Sequence, residues 1–401
     1  MKVGILDLGA GIGMQNELLK GGNDLFIYLH GKPDPGVVGK GSKTHFRWFK
    51  NVTDLKSKLA EDNLDLLVKT DHLFNGATVP GKTIGSIASV RKLEMDRQFG
   101  ADFIQSIVGK GKLRIPKTVN TVEEAKRLRG PRVVAKLDNN KNVQALGSER
   151  TFILFKRDLD AFDKVAPKAM YQQYIEGTEV GSGGYMSKGK FIRPFTFIQE
   201  YKRKYPKSMG NQILTGESGS CGIFTSDLDE PFQSMMDAHE GKVGDYYGFL
   251  DLNCMIDAKG DVYFLEYTSR MGFPTEYEVM AMLDQPYASF LSGILQGKDY
   301  TVKNPAFASL KVVDIYSGYF PYQIEVPKLP PGLSIVAVNA LKNKKYWSPG
   351  IQCFEDLFVV TADASTVRKA TKALYDYMPS IQGLGIFYLT EDVGSDWTWR
   401  K

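Results

Sequence analysis

The sequence predicts a multi-domain chain of the α/β class, α+β overall, on three observations. Strand, turn and helix alternate over residues 1–90. Charged residues interrupt apolar strands in the middle of the chain. The last region, residues 305–401, mixes strands with one helix. At 401 residues the chain is too long for one ordinary core, and two to four compact units are expected.

Residues 3–8 form an apolar strand-like run, followed by Gly9, Gly11 and Gly13 and a helix over 14–20. Residues 25–29 and 64–68 are further short strands, so the first 90 residues read as a small unit built on a parallel sheet. Val90, Leu93, Phe99 and Phe103 recur at helical spacing and predict a helix over 90–103. Beyond Pro116 the pattern gives a helix at 122–128 and strands at 133–137, 151–155 and 169–175. Strands at 191–199, 248–257 and 261–267 follow, with Ala258, Lys259 and Gly260 as a tight turn. Pro305 opens a last region with elements at 310–316 and 333–338, a strand at 357–361, a helix at 365–378 and a closing segment at 383–389. There is no internal repeat and no low-complexity tract.

Composition excludes several classes. Hydrophobic residues make up 43% and charged residues 24%, which is ordinary globular composition rather than disorder. No apolar run approaches the roughly 18 residues of a membrane span, and the start of the chain lacks the pattern of a secretory signal. Cys221, Cys254 and Cys353 are odd in number and widely spaced, which argues against a disulfide framework or zinc site and predicts a reducing, cytoplasmic setting. A net charge of +5 with scattered basic residues does not indicate nucleic acid, and anionic small substrates explain it equally well.

The turn at Gly9, Gly11 and Gly13 matches the glycine-rich loop of S-adenosylmethionine-dependent methyltransferases and nearly meets the dinucleotide pattern. Both nucleoside readings want an acid at the end of the second strand, and none appears before Asp34. A tight turn without a ligand, or a contact to a phosphate or substrate, fits better.

Four segments carry the chemistry. Lys136 ends an apolar strand and can reach nucleotide phosphates as a point charge. Residues 171–180 are a strand and glycine turn leading to Glu179, whose edge would offer backbone groups to an adenine and an acid to a ribose. Gln199 to Arg203 precede a small-residue stretch, 215–222, whose amides would close around an anion. Asp251, Asn253 and Glu266, on two adjacent strands, form an oxygen-only set suited to Mg²⁺, with Arg270 just beyond to neutralise a transferring phosphoryl group. Each has a plainer reading as a solvated strand end, hairpin or loop, although charges inside apolar strands are unusual.

Taken in order, these segments resemble the ATP-grasp superfamily, and within it phosphoribosylamine–glycine ligase. The helix at 93–103 resembles that family's Leu-Glu-x-Ser-Lys pattern, with Arg97 at the lysine. Residues 134–138 resemble its Val-Ile-Lys-Ala-Asp strand, 172–179 its Glu-Glu-Phe-Leu-x-Gly-x-Glu hinge, and 199–203 its Gln-Asp-His-Lys-Arg segment. Residues 265–276 resemble its Leu-Glu-Phe-Asn-x-Arg-x-Gly-Asp-Pro-Glu signature. The chain departs at the lid loop, where Asn139, Asn140, Lys141 and Asn142 hold no glycine, at Thr268 in place of a metal-binding asparagine, and at Phe273 in place of an aspartate.

The resemblance implies three domains: a Rossmann-like one over 1–90, an ATP-grasp domain over 91–304 with a small lid at about 117–180, and a C-terminal α+β domain over 305–401. It implies a cytoplasmic ATP- and Mg²⁺-dependent (or Mn²⁺-dependent) ligase, monomeric or dimeric, joining an amino-acid carboxylate to an amine through an acyl phosphate. The implied nucleotide contacts are Arg97, Lys136, Gln173, Tyr174, Glu179 and Gly219. Glu266, Asp251, Asn253 and Thr268 would hold the metal, and Arg270, Lys202 and Arg203 would be catalytic. A relative that binds ATP without turnover is the alternative, ahead of a methyltransferase.

Overall fold

The computed structural model describes residues 1–6, 12–30, 44–70, 76–109, 113–137, 151–166, 169–203, 208, 214–272, 274–314, 322–337, 341–342, 345–348, 356–389, 391–397 and 399. The chain divides into two compact units. One comprises Met1–Arg91, Val180–Asp251 and Tyr267–Lys401, and the other Lys92–Glu179 and Leu252–Glu266.

In the first unit, the expected N-terminal sheet is present and wholly parallel. Its order is Thr44–Phe49, Asp24–His30, Lys2–Leu6, Leu66–Lys69, Thr83–Ile84. The order reverses direction at Lys2–Leu6, the doubly wound pattern in which ligands bind beyond the carboxyl ends of the strands. The strand Thr44–Phe49 and the helix Val52–Asp62 escape a reading by periodicity. The strand carries His, Arg and Trp and is mostly half-buried at a sheet edge. The helix start is nonetheless chemically marked, because the Asn51 side chain accepts from the Asp54 amide.

The rest of this unit is a large antiparallel sheet. From Gly177–Ser187 it runs through Phe195–Arg203, Leu214–Thr225, Ala306–Asp314, Asp356–Ala364 and Leu333–Ala337. The stretch read as a small-residue loop is therefore strand. Gly219 pairs with Tyr201 on one side and Leu310 on the other, so its amide is in a ladder region, and a Cβ there would come within 2.7 Å of the Ser309 carbonyl. Small residues mark close strand packing here. The helix Thr275–Met282 is buried from Glu276 through Met282, so it shows no polar face.

His239, on the helix Phe232–His239, is wholly buried. Its Nδ1 donates to the Met235 carbonyl at 2.6 Å, so Nε2 accepts from the Tyr267 hydroxyl at 2.7 Å. Burial pushes this imidazole from 6.5 down to about 4, with the Met235 bond opposing. The unfolded chain then binds one more proton between those values, and stability falls as pH drops from 6.5 towards 4. We expect a slope from this group of up to about 1.4 kcal/mol per pH unit. Urea melts at neutral and mildly acidic pH should show that slope in the native chain and its loss in His239→Asn.

In the second unit, a four-stranded antiparallel sheet has the order Thr118–Val119, Met170–Gln173, Arg132–Lys136, Thr151–Phe155. Val133, Ala135, Leu137 and Tyr171 face a core shared with Val122, Leu159 and Phe162. The helix expected over 90–103 is two helices, Ala88–Met95 and Arg97–Val108. Asp96 breaks it: its backbone is extended and its carboxylate accepts from the Phe99 amide at 3.0 Å. An Asp inside an apolar periodicity is the capping signal that periodicity alone overrides.

Gly177 begins the strand after the predicted hinge. A Cβ there would sit 2.1 Å from the Ile256 carbonyl oxygen, a contact that backbone cannot relieve. Gly177→Ala should destabilise the chain by about 3 kcal/mol, the upper range for overpacking. A denaturation midpoint unchanged from the native chain would contradict this packing.

Candidate nucleotide site

Strand alternation puts Lys136 on the face opposite the second unit's core. Its cross-strand neighbours are Met170 and Thr151, while Val134 lies opposite Gln172 and Gln172 opposite Thr118. Lys136, Met170, Gln172 and Thr118 line a cavity of about 260 Å³. Arg97, Gln98, Ala101, Asp102 and Gln105 line it from one stripe of the helix Arg97–Val108, and Leu265 from the hairpin. Gln172 Nε2 donates to Thr118 Oγ1 at 3.3 Å, fixing the amide at the cavity wall.

Two cations converge on one carboxylate. Arg97 Nη1 donates to Glu266 Oε2, and Lys136 Nζ lies 3.4 Å from the same oxygen. The Lys136 side chain is 5% exposed and that of Glu266 29%. Burial lowers the Arg97 guanidinium from its ordinary value, with Glu94 opposing, yet an arginine keeps its proton. A buried lysine and a half-buried arginine thus stand beside the cavity, and charged N–H donors of this kind suit an anion such as a polyphosphate.

The other candidate residues distribute as follows. Gln173 belongs to the same four-stranded sheet, its amide donating to the Lys117 carbonyl at 2.8 Å. The Tyr174 ring lies 4.1 Å beneath the Arg132 guanidinium, which also reaches Glu176 at 3.4 Å, so the hinge is held by a stacked cation. Glu179, half-buried, closes this unit's first segment. Asn253 is buried in the second unit, whereas Asp251, Thr268 and Arg270 belong to the first. The Asp251 carboxylate abuts the Gly181 and Gly183 backbone, where a Cβ would come within 2.9 and 2.6 Å of it. Among the described residues no three of His, Cys, Asp and Glu are grouped to hold a metal. Of the anticipated metal ligands, Glu266 is the one that joins the two cations.

Lys202 pairs with Glu200 at 2.9 Å in the first unit. The Arg203 side chain, the glycine turn at 9–11, Asp34, residues 138–142, Phe273 and Cys353 lie outside the described residues. Reading by sequence missed the cavity wall formed by Gln98, Asp102, Gln105, Thr118 and Gln172. The only signal was polar residues at helical spacing along 98–105, which looks like a solvated face.

No protein-family profile matches the chain. Among curated relatives, phosphoribosylamine–glycine ligase of Halalkalibacterium halodurans is 23% identical over 278 residues, covering 66% of this chain and 62% of that one. The match therefore spans about three-fifths of that relative. Among solved structures, phosphoribosylamine–glycine ligase from Thermotoga maritima superposes with a TM-score of 0.67 at 17% identity, covering 97% and 99% of the two chains. The biotin carboxylase domain of 2-oxoglutarate carboxylase from Hydrogenobacter thermophilus, solved with MgADP and bicarbonate, gives 0.69 at 13% identity, covering 96% and 91%.

The fold is that of the ATP-grasp proteins. Within that class the chain resembles phosphoribosylamine–glycine ligase, in sequence over two-thirds of its length and in fold over nearly all of it. No helix among the described residues is long and apolar enough to cross a membrane.

Proposed function

We propose that the chain is an ATP-dependent carboxylate–amine ligase that forms an amide through an acyl phosphate. The observation that carries this is the pair Lys136 and Arg97 beside the cavity of the second unit, both directed at Glu266. Lys136 and Arg97 bind the triphosphate of ATP, and the Gln173–Tyr174 backbone and Glu179 take the adenine and ribose. The γ-phosphoryl group passes to a carboxylate oxygen with departure of ADP. An amine then attacks the acyl carbon and expels phosphate. Such catalysis is positioning and charge neutralisation and needs no nucleophilic side chain.

Mg²⁺ commonly takes one or two carboxylates and completes its shell with phosphate oxygens and water. Glu266 fits as that carboxylate, and bound Mg²⁺ would neutralise phosphate charge there. By resemblance Thr268, Asn253 and Asp251 are the further candidates. Arg270 is assigned to the acyl phosphate, with Lys202 and Arg203 as additional cations. The three-domain division at 90 and 304 remains part of this reading. An amino acid such as glycine is the proposed carboxylate, and an amine of a nucleotide or sugar phosphate the partner.

The test is ADP release with ATP·Mg²⁺ across a panel of amino acids and amines. Release that needs both substrates supports the ligase. Tight nucleotide binding with no turnover on any pair would favour a non-catalytic relative, a reading that Thr268 at the expected asparagine also supports.

A further inference from the structure

Two buried glutamates on the helix Thr275–Met282 differ in how they are satisfied. Glu276 takes a hydrogen bond on each oxygen, from Tyr185 at 2.5 Å and from Tyr287, and needs nothing more. Glu278 is fully buried, and its Oε1 accepts from both Ser220 and Ser309, yet its Oε2 has no partner among the described residues. Glu217, 5% exposed, likewise leaves Oε1 without one. Burial, then Glu200 and Glu278, push the Glu217 carboxyl well above its ordinary value, and burial does the same to Glu278.

The sheet beneath these acids carries a polar row. Glu200 lies opposite Ser220, Ser220 opposite Ser309, and Ser309 opposite Thr361. Thr361 is 1% exposed and its Oγ1 also has no partner among the described residues. These oxygens belong to one neighbourhood: Glu278 accepts from Ser220 and Ser309, whose hydroxyls are 2.8 Å apart, Thr361 lies opposite Ser309, and Glu217 is within electrostatic reach of Glu278 and Glu200. The row becomes more open at one end, where Glu200, 12% exposed, offers one oxygen to Lys202, 24% exposed, at 2.9 Å. Leaving a buried acceptor unpaired costs more than a hydrogen bond returns, so such atoms point to an occupant.

We propose that Glu217, Glu278 and Thr361, with Glu200 at the open end, recognise the protonated primary amine of a substrate. This deepens the ligase reading and rests on its amine-consuming half-reaction. A primary ammonium offers three donors for three acceptor atoms.

The experiment uses the full chain near neutral pH, with methylammonium and ethylenediamine as probes and tetramethylammonium and sodium at equal ionic strength as controls. Calorimetry and the melting temperature should register the primary amines and not tetramethylammonium, which has no N–H. Glu217→Gln and Glu278→Gln should each weaken amine binding at least about tenfold, or 1.4 kcal/mol, while binding of a non-hydrolysable ATP analogue is kept, which also shows that the variants fold. Equal responses to all four cations, no response in the native chain, or a response kept in both variants would overturn the proposal. A pH-dependent melting temperature with no amine dependence would also overturn it and assign the acids to a shared proton. Loss of ATP-analogue binding in the native chain would count against the ligase reading alone.

Discussion

Lys136→Met should raise the dissociation constant of a non-hydrolysable ATP analogue about 100-fold, or about 2.7 kcal/mol. The ammonium sits at the end of a strand whose alternate residues are core, so its direction is set by packing rather than by a flexible stem. Methionine keeps the apolar length of the side chain and removes only the charge. The variant should therefore melt close to the native chain, and loss of Lys136 also relieves part of the neutralisation of Glu266. Titration calorimetry with and without Mg²⁺ separates the outcomes. Unchanged affinity in both conditions would remove Lys136, and with it the proposed phosphate site.

Glu266→Gln should lower turnover by about a thousandfold or more, since a charge-positioning group acts mainly in the transition state. The structure adds a folding consequence that a metal role alone would not give. Glu266 is the shared partner of Arg97 and Lys136, and glutamine leaves two largely buried cations facing each other. With Glu266 29% exposed, solvent screens part of this, and we expect about 1–2 kcal/mol of destabilisation at low salt rather than the larger value for a fully buried pair. Because ATP would supply replacement negative charge, saturating analogue should restore most of the lost melting temperature. A variant that turns over at the native rate contradicts the assignment, and one that is destabilised but not rescued by analogue contradicts the phosphate site.

Local chemistry was legible where one residue type has one physical use. The parallel N-terminal sheet followed from apolar runs separated by turns, and the hairpin 248–267 from Gly260, whose φ of +82° suits glycine. Asp96 is a capping residue type, but the apolar spacing across it points to one continuous helix. The stretch around Gly219 was misread because small residues serve loops and tightly packed strands alike, and only strand pairing separates the two. The polar row of Glu200, Ser220, Ser309 and Thr361 had no signature, since its members lie far apart in sequence and meet through register.

From sequence alone came the class of fold, the order of its segments, and Lys136 and Glu266 as residues out of place in apolar strands. Those follow from local rules: side-chain alternation along a strand, and the cost of placing charge in a hydrophobic run. Tertiary structure decided that Arg97 and Lys136 share Glu266, that the cavity is walled by a helix face which looks solvated, and that Glu278 is buried with one oxygen unsatisfied among the described residues. Partnership between residues 130 or 169 positions apart is a property of how sheets and helices pack, and no local pattern encodes it.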